Sequence, residues 1–170
     1  MKKYLMVFAL MSIFMLAACA GIGTSPKGME GPIEKASMKL ISDVKDGGYQ
    51  LINAEDLNGW ISANKEMIII DTMPAEAFAK IRVKGAVNSP VAKTEKEFTP
   101  AEKENILKIA GNDKSKTVVV YCGFTSCRRS HLGAKTLVEN GFSSVYRFPG
   151  GITAWTEYNY PVEGSDVQVK

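Results

Sequence analysis

Short apolar runs alternate with amphipathic segments along the chain from residue 49 onward. The runs at 67–71 (MIIID) and 117–121 (TVVVY) are continuous and rich in β-branched residues, which is typical of strands buried on both faces of a parallel sheet. Residues that favour helix ends bound the other segments, such as Asn53 and Pro74 at the start and Gly141 at the end. The predicted elements are a strand at 49–52, a helix at 54–60, a strand at 67–71, a helix at 74–80, a strand at 86–88, a helix at 99–109, a strand at 117–121, a helix at 129–140, a strand at 144–148 and a short helix near Trp155.

This alternation predicts an α/β fold in which helices cover both faces of a parallel sheet, because strand–helix–strand crossovers are right-handed. Ligands of such sheets bind beyond the carboxyl ends of the strands. Cys122 directly follows the strand predicted at 117–121 and precedes the helix at 129–140. The sequence therefore predicts that Cys122 lies at the ligand-binding edge of the sheet.

The N-terminal residues have the pattern of an export signal. Residues 1–3 (MKK) are positive, and residues 4–16 are apolar apart from Ser12. The apolar run is shorter than the roughly 20 residues that a membrane-spanning helix needs. It ends in residues 16–19 (LAAC), which resemble the lipobox of bacterial lipoproteins. We therefore expect Cys19 to be lipidated and to become the mature N-terminus.

The segment after Cys19 is rich in Gly, Pro, Ser and Lys up to about residue 39, which is typical of a flexible tether. The predicted organisation is a signal peptide at 1–18, a lipid-anchored tether at 19–45, a folded domain at 46–164 and a tail at 165–170. We expect the protein in the cell envelope, on the periplasmic or extracytoplasmic side, held to the membrane by its lipid anchor.

Composition excludes several classes of function. The formal charge is +3, and removal of residues 1–18 takes away two lysines and no acid, leaving about +1. We therefore expect no nucleic-acid partner, since the chain has no basic field and no nucleic-acid-reading motif. Three cysteines are too few for a disulfide scaffold, but they allow specific thiol chemistry.

The segment 121–130 (YCGFTSCRRS) joins the predicted central strand to a helix. A loop that curls over a helix N-terminus points its backbone N–H groups inward and forms an anion-binding nest. The nest and the arginines favour the thiolate, so the pKa of Cys122 should fall below the free value of about 8.5. We expect Cys122 to be a nucleophile whose sulfur anion Arg128 and Arg129 stabilise; the alternative is a buried structural cysteine. The other candidate residues of the active-site loop are Gly123, Phe124, Thr125, Ser126, Cys127 and Ser130.

Further candidates surround this loop. Cys127 has three interpretations: it resolves a persulfide or mixed disulfide on Cys122, it forms a disulfide with Cys122 that has no catalytic meaning, or it merely packs. His131 is expected on the helix surface, and with the two cysteines it lacks the fourth ligand of a structural zinc site, so the sequence indicates no metal and no cofactor. Asp71 ends a buried strand and is expected to accept hydrogen bonds from loop backbone, a structural role.

A set of short motifs occurs in the order and spacing of a known family: Asp71-Thr72, Phe78, Gly85 to Asn88, Tyr121-Cys122, Arg129-Ser130, Gly141-Phe142, Val145-Tyr146 and Gly150 to Trp155. Over about residues 49–162 the chain thereby resembles rhodanese-like domains. The resemblance implies a five-stranded parallel sheet with flanking helices. It also implies a cysteine that takes sulfane sulfur from a small donor such as thiosulfate and passes it to a thiol acceptor.

The sequence departs from the family pattern at several positions. Met73 replaces the usual Arg, and residues 81–82 (IR) replace the usual Gly-His. Five residues separate Cys122 from Arg128, a spacing that resembles the phosphatase and arsenate-reductase branches of the same fold. Three functions therefore stay open: a sulfurtransferase, a phosphatase or arsenate reductase, and a non-catalytic binding module.

Overall fold

The computed structural model describes residues 29–167 of the 170-residue chain. The described residues fall into two units, residues 29–35 and residues 36–167. The helices are α1 (Glu30–Gly47), α2 (Ala54–Ser62), α3 (Ala75–Lys80), α4 (Pro100–Ala110), α5 (Arg128–Glu139) and α6 (Gly151–Glu157). The strands are β1 (Gln50–Leu51), β2 (Ile68–Asp71), β3 (Arg82–Val83), β4 (Val87–Asn88), β5 (Val118–Tyr121), β6 (Val145–Phe148) and β7 (Val162–Glu163).

Five strands form one parallel sheet in the order β1-β6-β5-β2-β4. Strand β5 is central, pairing Val120 with Ile70 on one side and with Arg147 on the other. This confirms the predicted α/β fold with a five-stranded parallel sheet. Tyr121 is the last paired residue of β5, so Cys122 follows the carboxyl end of the central strand as predicted.

Helices cover both faces of the sheet. Val118 and Val120 pack in a core with residues of α4 and α5, whereas Val119 and Tyr121 pack in a second core with residues of α2 and α6. All four side chains are buried, since successive residues of a strand point to opposite faces. Burial of each such side chain contributes roughly 1.5–3 kcal/mol relative to exposure, which fixes β5 beneath the candidate loop.

The predicted helix starts follow ordinary capping chemistry. The Asn53 side chain accepts a hydrogen bond from the Asp56 N–H at the start of α2. Thr99 and Glu102 form a reciprocal capping box at the start of α4. The boundaries of α2, α3, α4 and α5 lie within two residues of the predicted ones.

The structure differs from the predicted organisation at both ends of the domain. Residues 30–47 are helical where a tether was predicted through 45, and Asp43 is buried because its carboxylate pairs with Arg147. The packed unit therefore begins before residue 46. At the other end, the N–H groups of Ser165 and Asp166 donate hydrogen bonds to the carbonyl groups of Ala79 and Lys80, so the predicted tail at 165–170 begins as ordered backbone.

Two short strands were not predicted. Strands β3 and β7 pair in an antiparallel ribbon, with Arg82 opposite Glu163 and Val83 opposite Val162. Each has only two residues, too few to show a periodic pattern.

The predicted signal peptide at 1–18 and the lipidation site Cys19 lie outside the described residues. Between residues 29 and 167, no helix combines the length and the apolar character that crossing a bilayer would require.

Candidate active site

Cys122 and Cys127 are joined by a disulfide that spans the loop between β5 and α5, with their Cα atoms 6.6 Å apart. The two sulfurs have different surroundings. Cys122 is 1% exposed, whereas Cys127 is half-buried and lines a surface cavity. The structure therefore holds the two cysteines in the disulfide form.

The start of α6 fixes the first two residues of the loop. The N–H groups of Ile152 and Thr153 donate to the carbonyl oxygens of Cys122 and Gly123, at 2.9 and 3.1 Å. Gly151 has φ 60°, and a Cβ atom at this position would overlap the Cys122 carbonyl oxygen. Only glycine lets the backbone of α6 come this close to the loop.

Arg147 holds the far side of the loop. This residue lies in β6 and is fully buried, yet each of its five N–H bonds has an acceptor. Nε donates to Ser130 Oγ (3.0 Å), Nη1 donates to Asp43 Oδ2 (3.1 Å) and the Tyr49 hydroxyl (3.0 Å), and Nη2 donates to the carbonyl oxygens of Thr125 (3.2 Å) and Cys127 (2.9 Å). A buried guanidinium is tolerated because every donor is satisfied.

These bonds orient the backbone of the loop. In a trans peptide the C=O and N–H groups point in opposite directions, so the N–H groups of Ser126 and Arg128 point away from Arg147. Within residues 29–167, none of the N–H groups from Gly123 to Ser126 donates a hydrogen bond. Donors without partners along one loop are what an anion-binding nest requires.

Ser130 connects Arg147 to the candidate nucleophile. Its hydroxyl accepts from Arg147 Nε and donates to Cys122 Sγ at 3.4 Å. Ser130 is fully buried in the first turn of α5, so the contact is shielded from water. The hydroxyl is thus positioned to stabilise negative charge on the sulfur once the disulfide is open.

The two predicted catalytic arginines have other partners in the disulfide form. Arg128 Nη1 lies 3.6 Å from Asp43 Oδ1, and its side chain is 38% exposed. Arg129 Nη1 donates to the Val91 carbonyl oxygen. Both residues also line the cavity beside the loop.

The cavity measures about 420 Å³ and opens beside Cys127. Among residues 29–167, its lining combines apolar side chains with three cations and includes no acidic residue. The lining residues are Met73, Pro74, Lys93, Phe124, Ser126, Cys127, Arg128 and Arg129. Small-molecule sites have this size and this mixture of apolar walls with a few charged groups.

Asp43 is the carboxylate of a buried charge cluster. It pairs with Lys39 at 2.5 Å, with Arg147 at 3.1 Å and with Arg128 at 3.6 Å. Burial alone would raise the pKa of Asp43, but the hydrogen bonds from Lys39 and Arg147 hold it below its ordinary value. Asp43 therefore stays ionised, and it supplies the counter-charge that Arg147 needs.

His131 is buried, whereas the sequence predicted it on the helix surface. Its Nδ1 lies 2.9 Å from the Tyr49 hydroxyl and its Nε2 lies 3.2 Å from Asp46. The Tyr49 hydroxyl already accepts from Arg147, so it donates to Nδ1 and selects the Nε2–H tautomer. Burial lowers the pKa of His131. The imidazole is therefore neutral and acts as part of the support beneath the loop.

Asp71, at the end of β2, binds the backbone of the turn that follows it. Its Oδ1 accepts from the Met73 N–H at 2.7 Å, which fixes the turn after β2. Burial raises the pKa of Asp71, although the Tyr121 hydroxyl and the Met73 N–H oppose this. Among the described residues, Oδ2 is buried without a hydrogen bond of ordinary length, and the Tyr121 hydroxyl, which accepts from Val83 N–H, keeps its own proton for Asp71.

The sequence did not identify Arg147, Asp43 or Tyr49 as parts of the site. One signal was available for Arg147, because a charged residue inside a strand predicted to be buried requires a partner. Its partner Asp43 lies 104 residues away, in a segment whose composition indicated a tether. For a metal, residues 29–167 contain no cluster of three or more His, Cys, Asp or Glu side chains that could bind one.

Comparisons with known proteins agree with the fold. A family model described as a rhodanese-like domain matches residues 53–158. The chain is 28% identical over 142 residues to the tRNA uridine(34) hydroxylase of Acinetobacter baumannii (strain AYE), covering 78% of this chain and 42% of that protein. The chain thus spans less than half the length of this relative.

Two solved structures show the same fold. The polysulfide-sulfur transferase homodimer of Wolinella succinogenes is 22% identical, with a TM-score of 0.57 over 83% of this chain and 95% of that chain. The thiosulfate sulfurtransferase of Pseudomonas aeruginosa is 20% identical, with a TM-score of 0.58 over 74% of this chain and 22% of that chain.

Proposed function

The chain belongs to the rhodanese-like domain family, and from this premise we propose that it is a sulfurtransferase that carries sulfane sulfur as a persulfide on Cys122. One observation carries the proposal. Cys122 directly follows the central strand, and its Sγ accepts a hydrogen bond from Ser130, whose hydroxyl is fixed by the fully buried Arg147. This arrangement stabilises a sulfur anion at one position.

The reaction begins from the reduced form. The Cys122 thiolate attacks the outer sulfur of thiosulfate, the sulfur–sulfur bond of the donor breaks, and sulfite leaves with the bonding electron pair. The product is a Cys122 persulfide anion, so charge and atoms balance. An acceptor thiolate then attacks the outer sulfur of this persulfide, takes it away as a new persulfide and regenerates the Cys122 thiolate.

The loop supports both steps. The N–H groups from Gly123 to Ser126 donate no hydrogen bond in the described residues, so they are available to the terminal sulfur of a persulfide. Arg128 and Arg129 line the cavity by which an anionic donor would arrive. The two sulfur-transferring relatives of known structure share the fold that presents this loop.

A phosphatase or arsenate reductase is the less favoured function. Phosphate-ester hydrolysis by a cysteine nucleophile needs an acid to protonate the leaving group. The cavity lining contains no Asp or Glu side chain, whereas Cys127 lies within the loop. A neighbouring thiol suits sulfur exchange better than phosphoryl transfer.

Mass spectrometry of the fully reduced chain after exposure to thiosulfate tests the proposal. We expect Cys122 to gain about 32 Da, the mass of one sulfur atom. Cys122→Ser should abolish the gain, and Arg128→Ala or Arg129→Ala should reduce its rate. Cys127→Ser should still form the first persulfide.

Two other results would replace the proposal. Ready hydrolysis of an aryl phosphate without a persulfide would favour the phosphatase. Absence of both activities in a folded, reduced protein would favour a non-catalytic binding module.

We also propose that the protein is a lipoprotein of the cell envelope, anchored by Cys19, because the apolar run at residues 4–16 ends in the lipobox-like residues 16–19. Cys19→Ser should leave the precursor unprocessed or the protein soluble. Gel mobility and detergent-phase partition of the expressed chain measure this. Unchanged mobility and partition would contradict the proposed anchor.

A further inference from the structure

The two sulfurs of the disulfide differ in how a reagent can reach them. Cys122 is 1% exposed and does not line the cavity, whereas Cys127 is half-buried and forms part of the cavity wall. Thiol–disulfide exchange requires the attacking thiolate to reach the sulfur that it bonds, so access selects the target. A thiol in the cavity meets Cys127 first.

The two sulfurs also differ as leaving groups. Exchange is faster when the released sulfur is the better-stabilised thiolate. Cys122 Sγ accepts the Ser130 hydroxyl hydrogen bond, and Arg147 holds that hydroxyl through Nε. Among the residues that the structure describes, no comparable donor contacts Cys127 Sγ. Release of Cys122 is therefore favoured over release of Cys127.

The charge of the cavity selects the attacking thiol. Lys93, Arg128 and Arg129 line it, and no acidic side chain does. Asp43, the acid that contacts Arg128, is already paired with Lys39 and Arg147 as well. The cavity therefore keeps a positive field that attracts an anion and repels a cation.

We propose that an anionic low-molecular-weight thiol enters the cavity and opens the disulfide by attacking Cys127, which releases Cys122 as the thiolate. A cavity of about 420 Å³ is large enough for a small thiol. The exchange itself does not depend on the proposed function. Only its consequence does, because the thiolate that it releases, Cys122, is the nucleophile of the proposed sulfurtransferase.

The exchange balances in two steps. In the first, the thiolate forms a bond to Cys127 Sγ, the bond between Cys127 and Cys122 breaks, and the electron pair goes to Cys122. In the second, another thiolate molecule attacks the mixed disulfide and releases Cys127. Two molecules of the small thiol are thereby oxidised to their disulfide, and the protein disulfide is reduced to two thiols.

The position of the mixed disulfide is the first test. The oxidised full chain is mixed with one equivalent of 2-mercaptoethanesulfonate, quenched in acid and treated with N-ethylmaleimide. Trypsin cleaves after Lys116 and Arg128, so one peptide carries both cysteines, and fragment ions that break between them assign each modification. We expect the sulfonate adduct on Cys127 and the maleimide on Cys122. The reverse assignment would overturn the inference.

The charge preference is the second test. Opening rates per thiolate are compared for 2-mercaptoethanesulfonate, neutral 2-mercaptoethanol and cationic cysteamine, and we expect them to fall in that order. Lys93 is exposed and lines the cavity, so Lys93→Glu should slow the sulfonate roughly three- to tenfold at low salt and leave 2-mercaptoethanol nearly unchanged. Lys108→Glu, an exposed α4 position outside the cavity lining, makes the same charge change and serves as the matched control.

Equal rates for the three thiols, or equal effects of the two lysine variants, would refute the charged-thiol inference. Neither test uses thiosulfate. A protein that opens at Cys127 but forms no persulfide would therefore refute the proposed function and leave this inference standing. If the thiol attacks Cys122 and the reduced protein then forms a persulfide, this inference is refuted and the proposed function stands.

Discussion

Arg147 Nε donates a hydrogen bond of 3.0 Å to Ser130 Oγ, and this single contact fixes the direction in which the Ser130 proton points. A guanidinium can only donate, so the serine oxygen must accept and its own proton is left for another acceptor. That acceptor is Cys122 Sγ, 3.4 Å away. A cation in the core of the sheet thus acts on Cys122 through one hydroxyl group.

Ser130→Ala should shift the thiol–thiolate equilibrium of Cys122 towards the thiol while leaving the fold in place. A hydrogen bond to a charged group contributes about 1.5–3 kcal/mol, which corresponds to roughly a 10- to 100-fold effect on the thiol–thiolate equilibrium. The alkylation rate of Cys122 against pH, measured in a Cys127→Ser background, should show a midpoint below the free value of about 8.5 for the parent and a higher one for the variant.

Ser126→Ala is the control for this measurement, because Ser126 is an exposed residue of the same loop. It should leave the midpoint of Cys122 unchanged. An equal shift in both variants would mean that the loop as a whole, and not the Ser130 hydroxyl, sets the acidity of Cys122.

Arg147→Met should destabilise the protein by about 3–5 kcal/mol, because it removes the buried partner of Asp43 and leaves two loop carbonyl groups without a donor. Arg147→Lys should rescue little, since an ammonium group cannot reproduce five donors in a planar fork. Urea unfolding of the reduced and oxidised proteins measures both effects.

Asp43→Asn, combined with Arg147→Met, tests whether the two residues are energetically coupled. If Arg147 and Asp43 are coupled as the 3.1 Å contact indicates, the double variant Asp43→Asn with Arg147→Met should lose less stability than the two single losses combined. Strict additivity would contradict that coupling.

Gly151→Ala should cost more stability than Gly141→Ala, although both glycines have positive φ angles of 60° and 85°. Position 141 has open space around the added methyl group, so only backbone strain of about 1–2 kcal/mol is expected there. At position 151 the methyl group would overlap the Cys122 carbonyl oxygen and lie 2.7 Å from the Gly123 carbonyl carbon. We expect roughly 1–3 kcal/mol more destabilisation.

Unfolding midpoints of the two alanine variants test this directly. Gly151→Ala should also slow alkylation or persulfide formation at Cys122, because α6 holds the loop through Ile152 and Thr153. Equal stability losses in the two variants would show that the loop relieves the clash with the added methyl group at no cost in the free energy of unfolding.

The sheet was predictable because its signals are local. The runs at 67–71 and 117–121 combine β-branched residues with flanking turn residues, and they became β2 and β5 within one residue. The position of Cys122 then followed from the general geometry of parallel sheets, which needs only the order of strands and helices.

The support beneath the loop was not predictable, because it depends on contacts distant in the chain. Arg147 joins Asp43, Tyr49 and Ser130 across separations of 104, 98 and 17 residues, and no local pattern encodes such pairs. Helix α1 was overlooked for the same reason. Its composition predicted a tether, whereas the pairing of Asp43 with Arg147, the contact of Asp46 with His131 and the packing of Val44 on the core show why this segment packs.

The last prediction concerns acid stability and rests on His131. The imidazole is buried, accepts from the Tyr49 hydroxyl at Nδ1 and has a pKa lowered from 6.5 by burial. In the unfolded chain the same residue takes up a proton near pH 6.5. The unfolded state therefore binds more protons between the folded pKa and pH 6.5, and stability should fall as the pH is lowered through that range.

Urea unfolding at pH 7.5, 6.5 and 5.5 measures this loss, and His131→Gln should flatten the pH dependence because glutamine does not titrate. Asp43 and Asp46 also have lowered pKa values, but they titrate below 3.8 and contribute nothing between these pH values.

The competing expectation, that stability rises on acidification, comes from the 3.2 Å contact of His131 Nε2 with Asp46, which would stabilise an imidazolium. Protonation at Nδ1 would break the hydrogen bond from Tyr49, whose oxygen already accepts from Arg147, and bring a second positive charge towards that buried cation. A rise in stability on acidification, lost in His131→Gln, would show that the Asp46 contact dominates.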